Sequence, residues 1–270
     1  TYQAAICDVS VDCVYIGLPT SEHYKFAEMC IKNNKHVLCE KPITSDDTAL
    51  QKLIVLAKEH DVIFCDGTQW TQYLNTRWAI DTIKSYYANE HGGIRAITCK
   101  FNIPKGQINE GNIRLNVNTE PLGIVGDIGW YPISLVAYMF PDKLPIRTET
   151  IKLTQTACDA VLYYKDFEMT MNLSFESEEF DQSTTFTFND GFEKIVDNTY
   201  FLDGEKQIES VVNNFNNSVR FSPELGKPYM SNVKGCTSDA TLILNVINSI
   251  VKIDLSSLKD DTEALKYELE

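Results

Sequence analysis

Between residues 11 and 65, short apolar runs rich in β-branched residues alternate with longer amphipathic stretches. This alternation is typical of parallel strands joined by crossover helices. The apolar runs predict strands at 11–18, 36–40 and 62–65, and the stretches between them predict helices at 21–33 and 45–60. Three strands with two crossovers indicate half of a doubly wound parallel sheet.

The pattern changes after residue 66. A helical stretch at 73–89 and a strand at 94–103 come first, and polar and apolar residues then alternate with period two from 146 to 195. That alternation around turns at Lys165–Asp166 and 189–191 predicts antiparallel sheet. A last helix is predicted at 238–252, before a charged tail.

These elements predict an α/β protein with two domains. Residues 1–68 would form the remainder of a Rossmann parallel sheet, and residues 69–270 an α+β domain with a large antiparallel sheet. We also expect the last helix to pack back on the first domain.

The composition and net charge of the chain indicate which classes of binding partner are unfavourable. The chain has 270 residues, 43% of them hydrophobic, and a formal net charge of −14. A core of good size is therefore expected, and nucleic acids and anionic membranes are disfavoured because no run of Lys or Arg counters the negative charge. The most apolar late stretch, 242–251, is interrupted by Asn245 and Asn248, so we expect no membrane span.

The eight cysteines are scattered and form no CxxC motif. Several lie in apolar, strand-like runs, which indicates reduced core thiols in a cytoplasmic protein. Disulfides or a zinc site are the alternative, and we predict no metal.

The segment Glu40–Lys41–Pro42 follows a predicted parallel strand. Ligands of open α/β sheets lie beyond the carboxyl ends of the strands, so Lys41 is expected to face a cleft. An ammonium there could donate to a substrate hydroxyl and favour the alkoxide that precedes hydride loss. A surface lysine at a strand end explains the spacing equally well.

A second candidate is the segment Gly126–Pro132, followed by an apolar, helix-like run. If Asp127 opens that helix, Asp127 and Tyr131 stand four residues apart on one face and can point into one cavity. Tyr131 could then transfer a proton, and as a base it would need a nearby ammonium such as Lys41. The alternative is that Asp127 caps the helix and Tyr131 belongs to the core.

The third candidate, Leu18–Pro19–Thr20 with His23 a little further on, follows the first strand and starts a helix. Backbone N–H groups at such a start can bind an anion. His23 could line a cofactor cleft or cap the helix.

Together and in this order, these segments resemble the Gfo/Idh/MocA oxidoreductase family, and most closely its dimeric dihydrodiol dehydrogenase-like branch. The matching stretches are VDCVYIGLPTSEHYKFAEMCIKNNKHVLCEKPIT, DGTQW, NIRLN and GDIGWYPI. The resemblance implies that Lys41 is catalytic with Asp127 and Tyr131. It further implies a nicotinamide cofactor, NAD or NADP, whose contacts would be Leu18, Pro19, Thr20, His23, Glu40, Lys41 and Pro42.

The resemblance also implies hydride transfer between that cofactor and a diol or sugar-like carbinol, and a homodimer formed through the antiparallel sheet. Trp70, Arg114 and Trp130 are our candidates for the substrate wall. The choice between NAD and NADP is left open.

The glycine-rich loop that holds the cofactor's pyrophosphate in this family would precede Thr1, and no such loop is found in the 270 residues. Losing three charge-assisted hydrogen bonds of about 1.5–3 kcal/mol each would weaken binding by about 3–6 orders of magnitude. A fragment of a full enzyme, or an inactive relative that serves as an interaction or dimerisation module, is therefore the alternative. A sheet-based binding module without redox activity is a third hypothesis.

Overall fold

The computed structural model describes residues 1–68, 70, 74–141, 143–197, 199–200 and 240–251. The first part is a three-stranded parallel sheet in the order β1-β2-β3. Its elements, in chain order, are α1 (Tyr2–Cys7), β1 (Cys13–Ile16), α2 (Thr20–Lys32), β2 (His36–Cys39), α3 (Asp47–Glu59) and β3 (Phe64–Asp66).

The predicted strands and helices of this sheet are confirmed, each within a few residues of its expected bounds. Helix α3 is capped by Asp46, whose carboxylate accepts from Thr48 N at 2.9 Å. Helix α1 was not predicted. It is short, and only Ile6 of its residues is buried, so its pattern gives little periodic signal.

The second part is a six-stranded sheet in the order β5-β6-β7-β4-β8-β9. Its elements are α4 (Leu74–Thr82), a π-helical turn (Ile83–Tyr87), α5 (Ala88–Glu90), β4 (Ile94–Pro104), a 3₁₀ turn (Ile113–Leu115), α6 (Gly123–Asp127), α7 (Trp130–Met139), β5 (Arg147–Leu153), β6 (Ala157–Tyr163), β7 (Glu168–Ser177), β8 (Thr184–Phe188) and β9 (Glu193–Val196).

The predicted α/β class with a large second sheet is confirmed. This sheet is mixed rather than purely antiparallel, because its two longest strands, β4 and β7, run parallel to each other. All its other pairs are antiparallel. Strands β6, β7 and β8 bury every second side chain, as the period-two pattern requires.

Helix α7 lies between the two sheets. Nine of its ten residues are buried, and a helix that is apolar on all sides is expected inside a protein. One continuous cluster of buried side chains joins the parallel sheet, α7 and the inner face of the larger sheet. The candidate site therefore lies at a junction of packed layers.

Residues 240–251 are helical, in line with the predicted last helix, whose end positions lie outside the described residues. Thr241 accepts a hydrogen bond from Gln51 of α3, and Ser249 contacts Thr148 of β5. This helix therefore contacts both parts of the molecule. The domain boundary at residue 68 stays a prediction.

Seven described cysteines are free, and five of them are buried. Cys236, the eighth, lies outside the described residues. Within the described ranges, no group of three or more His, Cys, Asp or Glu side chains is arranged to hold a metal ion. No described helix is both long enough and apolar enough to span a bilayer.

Candidate active site

Lys41 lies just beyond the carboxyl end of β2, at a cis peptide bond to Pro42. Its ammonium points inward and donates to the Asp127 carbonyl oxygen at 2.6 Å and to Asp127 Oδ1 at 2.7 Å. Only 9% of the side chain is exposed. The alternative of a surface lysine is therefore wrong, and Lys41 and Asp127 form a buried ion pair.

Asp127 is the last residue of α6, not the first residue of the following helix. The helix is interrupted at Ile128–Gly129, and α7 begins at Trp130. The expectation of a single helix through this segment is thus wrong. The two residues nevertheless reach the same place, because α6 ends and α7 starts beside Lys41.

The Asp127 carboxylate lies between two cations. Oδ1 accepts from Lys41, and Oδ2 accepts from Arg114 Nε at 2.8 Å. Burial alone would raise the pKa of Asp127, but the charges of Lys41 and Arg114 outweigh it and hold the pKa below the ordinary 3.8. Asp127 is therefore a carboxylate at neutral pH.

Lys41 keeps its charge for the same reason. Burial would lower the pKa of this ammonium, but Asp127, with smaller effects from Tyr131 and Glu40, raises it above the ordinary 10.5. Lys41 is therefore a fixed positive charge and not a proton donor or acceptor near neutral pH.

Tyr131 is buried, and its ring centre lies 5.0 Å from Lys41 Nζ. The rings of Phe101 and Tyr200 pack against it at 5.4 and 5.8 Å between ring centres. These three contacts restrict the orientation of the phenol ring.

Burial raises the pKa of Tyr131 above the ordinary 10.0; Lys41 opposes the shift, while Asp127 and Glu40 add to it. We expected Lys41 to lower the pKa of Tyr131 and so favour the phenolate. The net shift is upward, because burial dominates and the charge of Asp127 offsets that of Lys41. Tyr131 is a protonated phenol at neutral pH.

The two tryptophans expected on the substrate wall are both fully buried. Trp70 Nε1 donates to Ser134 Oγ, and Trp130 Nε1 donates to Thr68 Oγ1, each at 2.7 Å. The structure therefore places Trp70 and Trp130 in the core, where a buried indole N–H needs an internal acceptor. Their hydrogen bonds connect α7 to the segment after β3, and neither indole faces a cleft.

At the helix start formed by Leu18–Pro19–Thr20, the donors of Thr20 already bind a carboxylate of this chain, that of Glu120. Pro19 is the N-cap of α2 and offers no side-chain acceptor. Thr20 donates from its backbone N and its hydroxyl to Glu120, and Ser21 N donates to the Thr119 carbonyl. The expected anion is thus Glu120, which interacts favourably with the positive end of the helix.

His23 neither caps α2 nor faces an open cleft in this conformation. It is buried, with Nδ1 2.8 Å from the Pro42 carbonyl oxygen and Nε2 2.6 Å from the Leu18 carbonyl oxygen. A carbonyl oxygen only accepts, and a neutral imidazole carries one N–H, so the tautomer decides which of the two carbonyls receives the ring proton. His23 therefore bridges the ends of β1 and β2 and fixes the turn that carries Lys41.

Glu40 is oriented by Tyr15, whose hydroxyl donates to Glu40 Oε1 at 2.8 Å. Gly67, after β3, faces the same carboxyl group, and a Cβ there would lie 3.1 Å from Glu40 Cδ. Neither Tyr15 nor Glu120 was among the predicted site residues. Both contacts join positions 25 or more residues apart, and no local motif signals them.

The described residues suit the reactive end of a nicotinamide cofactor better than its phosphates. Lys41, Tyr131 and the turns after β1 and β2 gather at the carboxyl ends of parallel strands, where such ligands bind. By contrast, the first N–H groups of α2 are used by Glu120 and Thr119. The diphosphate would need donors other than these.

Fold and site together define an α/β protein with a Rossmann-type parallel sheet, a second large sheet, and a buried Lys–Asp–Tyr site between them. Residues 1–68 match the family model described as "Oxidoreductase family, NAD-binding Rossmann fold". This match confirms, for residues 1–68, the resemblance to the Gfo/Idh/MocA oxidoreductase family that the motifs indicate.

Two curated relatives illustrate the range of the family. The chain is 28% identical over 154 residues to a dTDP-3,4-didehydro-2,6-dideoxy-alpha-D-glucose 3-reductase of Streptomyces violaceoruber, covering 56% of this chain and 42% of that protein. It is 26% identical over 145 residues to a trans-1,2-dihydrobenzene-1,2-diol dehydrogenase of Xenopus laevis, covering 54% and 42%. The matches thus span less than half the length of these relatives.

The fold is shared with a 3-ketoreductase from Actinomadura kijaniata, solved in complex with NADP and TDP-benzene. The TM-score is 0.73 at 18% identity, over 93% of this chain and 81% of that one. At this identity the likeness shows the fold only.

Proposed function

We propose that the protein is a nicotinamide-dependent oxidoreductase that interconverts a carbinol of a diol or sugar-like substrate and the corresponding carbonyl compound. The observation that carries this proposal is the convergence of Lys41 and Tyr131. A buried ammonium at a strand end lies 5.0 Å from the ring of a buried phenol on α7. The family match and the sugar and diol chemistry in the names of the relatives support it.

The bound cofactor would supply or accept the hydride at the substrate carbon. Leu18, Pro19 and Thr20 after β1, with Glu40, Lys41, Pro42 and His23 around the β2 turn, are the residues proposed to hold its nicotinamide end. NAD and NADP both fit this part of the proposal.

Tyr131 is the proposed proton donor and acceptor. Because its phenol is protonated at neutral pH, it can donate to the carbonyl oxygen during reduction. In the oxidative direction the phenol must first lose its own proton to solvent, and the phenolate then accepts the hydroxyl proton. Lys41 stays charged throughout and stabilises negative charge that develops on the substrate oxygen or on Tyr131.

Asp127 is proposed to act on Lys41 by position and charge. Two hydrogen bonds from Lys41, to the carbonyl and the carboxylate of Asp127, fix the ammonium beside Tyr131. The carboxylate also allows the ammonium to remain charged despite its burial.

The test is oxidation of a panel of vicinal diols and aldoses by the natural protein with NAD⁺ or NADP⁺, followed at 340 nm. We expect turnover with at least one substrate, and a loss of about 10²-fold or more in each of two variants: Tyr131→Phe, which removes the acid–base group, and Lys41→Met, which removes the charge that stabilises the developing oxyanion. The matched controls are Lys84→Met and Tyr86→Phe, which alter an exposed lysine and an exposed tyrosine far along the chain.

Turnover that survives both site substitutions would refute the proposal. If the natural protein neither binds NADH or NADPH nor turns over any substrate, an interaction or dimerisation role replaces the enzyme assignment.

The partner proposed for the outer face of the six-stranded sheet is a second copy of the chain. That face carries half-exposed side chains such as Val161 and Tyr163, and Ile195, which is 55% exposed. Light scattering should give twice the chain mass, and Ile195→Asp should shift it toward the monomer; a monomeric wild-type protein would refute the dimer. The free thiols support the further proposal of a cytoplasmic location, because disulfides form where conditions are oxidising.

A further inference from the structure

We infer that Arg114 binds an oxyanion of the substrate, a phosphate or a carboxylate, at the mouth of the Lys41–Asp127–Tyr131 site. This inference rests on the proposed function, because it makes Arg114 a determinant of substrate class for that same site. It narrows the substrate from any carbinol to one that carries a negative group.

The first argument is the way in which Arg114 meets Asp127. The contact uses Nε alone, at 2.8 Å from Oδ2. Among the described residues, neither Nη nitrogen has a hydrogen-bond or ion-pair partner, and 45% of the side chain is exposed. The guanidinium group thus uses Nε for the Asp127 carboxylate, and its Nη donors remain available for a ligand.

The second argument is that the backbone of Arg114 is held firmly. Asn112 Oδ1 accepts from Arg114 N at 3.1 Å, and Gln155 Nε2 donates to Arg114 O at 3.0 Å. The Thr119 hydroxyl donates to the neighbouring Ile113 carbonyl. A residue fixed on both sides of its peptide loses little conformational freedom when a ligand binds.

The third argument is the local charge. Lys41 and Arg114 share the carboxylate of Asp127, and Asp127 is the one ion-pair partner of Arg114 among the described residues. The Glu40 carboxylate keeps its negative charge when it accepts from the neutral Tyr15 hydroxyl, and it acts on Lys41. Arg114 therefore has a half share in one carboxylate and a half-exposed side chain, which leaves its positive charge accessible to an anion.

The ligand class follows from the chemistry of the group. A guanidinium edge matches two oxygens of a carboxylate or phosphate, and Arg remains charged at any working pH. A neutral sugar hydroxyl needs neither the charge nor the fork. An oxyanion a few bonds from the reacting carbon would therefore be recognised by Arg114 while the carbinol lies near Tyr131.

The experiment titrates inorganic phosphate, and separately acetate, into the ¹⁵N-labelled chain at low salt and follows the backbone amides of residues 112–131 by NMR. We expect saturable shifts in the wild-type protein and affinity about tenfold or more weaker in Arg114→Gln, as for a lost charge-assisted pair. Arg114→Lys, which keeps the charge but not the fork, should give an intermediate affinity. The control Arg95→Gln removes an exposed arginine of β4 and should bind the anion as the wild type does.

Saturation by phosphate alone indicates a phosphorylated substrate, and saturation by acetate indicates a carboxylated one. The inference is overturned if neither anion saturates, or if Arg114→Gln and Arg114→Lys both bind like the wild type. Because no cofactor is present, this result is independent of the turnover assay. Turnover of neutral substrates without anion binding would refute the role of Arg114 and leave the oxidoreductase proposal standing.

Discussion

Replacing Asp127 by Asn keeps the shape of the side chain and removes the charge that lies between Lys41 and Arg114. The Lys41 side chain is 9% exposed, so its charge would stay buried without a counterion. Removing one partner of a buried ion pair costs about 3–5 kcal/mol of unfolding free energy. We expect the lower end, because the amide oxygen and the backbone carbonyl can still accept from Lys41.

Arg114 contributes little to this cost, because its half-exposed side chain is solvated and such pairs contribute about 0–1 kcal/mol. The matched control is Asp166→Asn, which breaks the ion pair of an exposed carboxylate with Lys143. That change should cost much less than Asp127→Asn, because both groups of the pair are solvated. The assay is urea unfolding followed by the fluorescence of the buried tryptophans.

The effect has a defined pH dependence. The folded-state pKa of Asp127 lies below its ordinary value of 3.8, so its stabilisation is present above pH 3.8 and is lost as the pH falls through the folded-state pKa. The unfolding free energies of wild type and Asp127→Asn should therefore differ by a constant amount from pH 5 to 7 and converge in acid. Equal costs for Asp127→Asn and Asp166→Asn at pH 7 would refute the reasoning.

Three further predictions concern the phenol, the bridging imidazole and the break before α7. Ultraviolet titration of wild type against Tyr131→Phe should assign to Tyr131 a pKa above 10, because the phenol is buried; a titration step below 10 would contradict this. His23→Ala should lower the unfolding free energy by about 1–3 kcal/mol, because a carbonyl that accepted from the ring N–H loses its donor; the measurement is urea unfolding, and a loss below about 0.5 kcal/mol would contradict it. Gly129→Ala should lower the unfolding free energy by about 1–3 kcal/mol, because a Cβ would lie 2.6 Å from the Val125 carbonyl oxygen; an unchanged midpoint of urea unfolding would contradict the clash.

The strands and crossover helices of the parallel sheet could be predicted because their apolar periodicity is local. Residues 36–39 and 64–66 are short, mostly buried runs bounded by polar residues, which is the signal of a parallel strand covered on both faces. The break between α6 and α7 could not be predicted in this way. It depends on Gly129 packing directly on Val125 and on Leu173 of β7, a contact between distant parts of the chain.

The candidate site was predictable to the extent that motifs mark it. Lys41, Asp127 and Tyr131 each lie in a recognisable motif. Asp127 and Tyr131 were expected one turn apart on a single helix, whereas they lie on two helices, at the end of α6 and the start of α7. The ion pair between Arg114 and Asp127 was not predictable, since Arg114 reaches the site from a loop without regular spacing. The same holds for Glu120, which contacts Thr20 at the start of α2. Trp70 and Trp130 were placed wrongly, because a sequence does not tell whether an indole N–H finds its acceptor in a cleft or in the core.

The most direct test of the central claim is a crystal structure of the protein with a nicotinamide cofactor and a substrate or product. The account predicts that the reacting substrate carbon lies about 3–3.5 Å from C4 of the nicotinamide ring and that the substrate oxygen lies within hydrogen-bond reach of the Tyr131 hydroxyl. Lys41 should remain paired with Asp127 beside them. A cofactor bound away from the ends of β1 and β2, or a Tyr131 hydroxyl directed away from the substrate, would contradict the account.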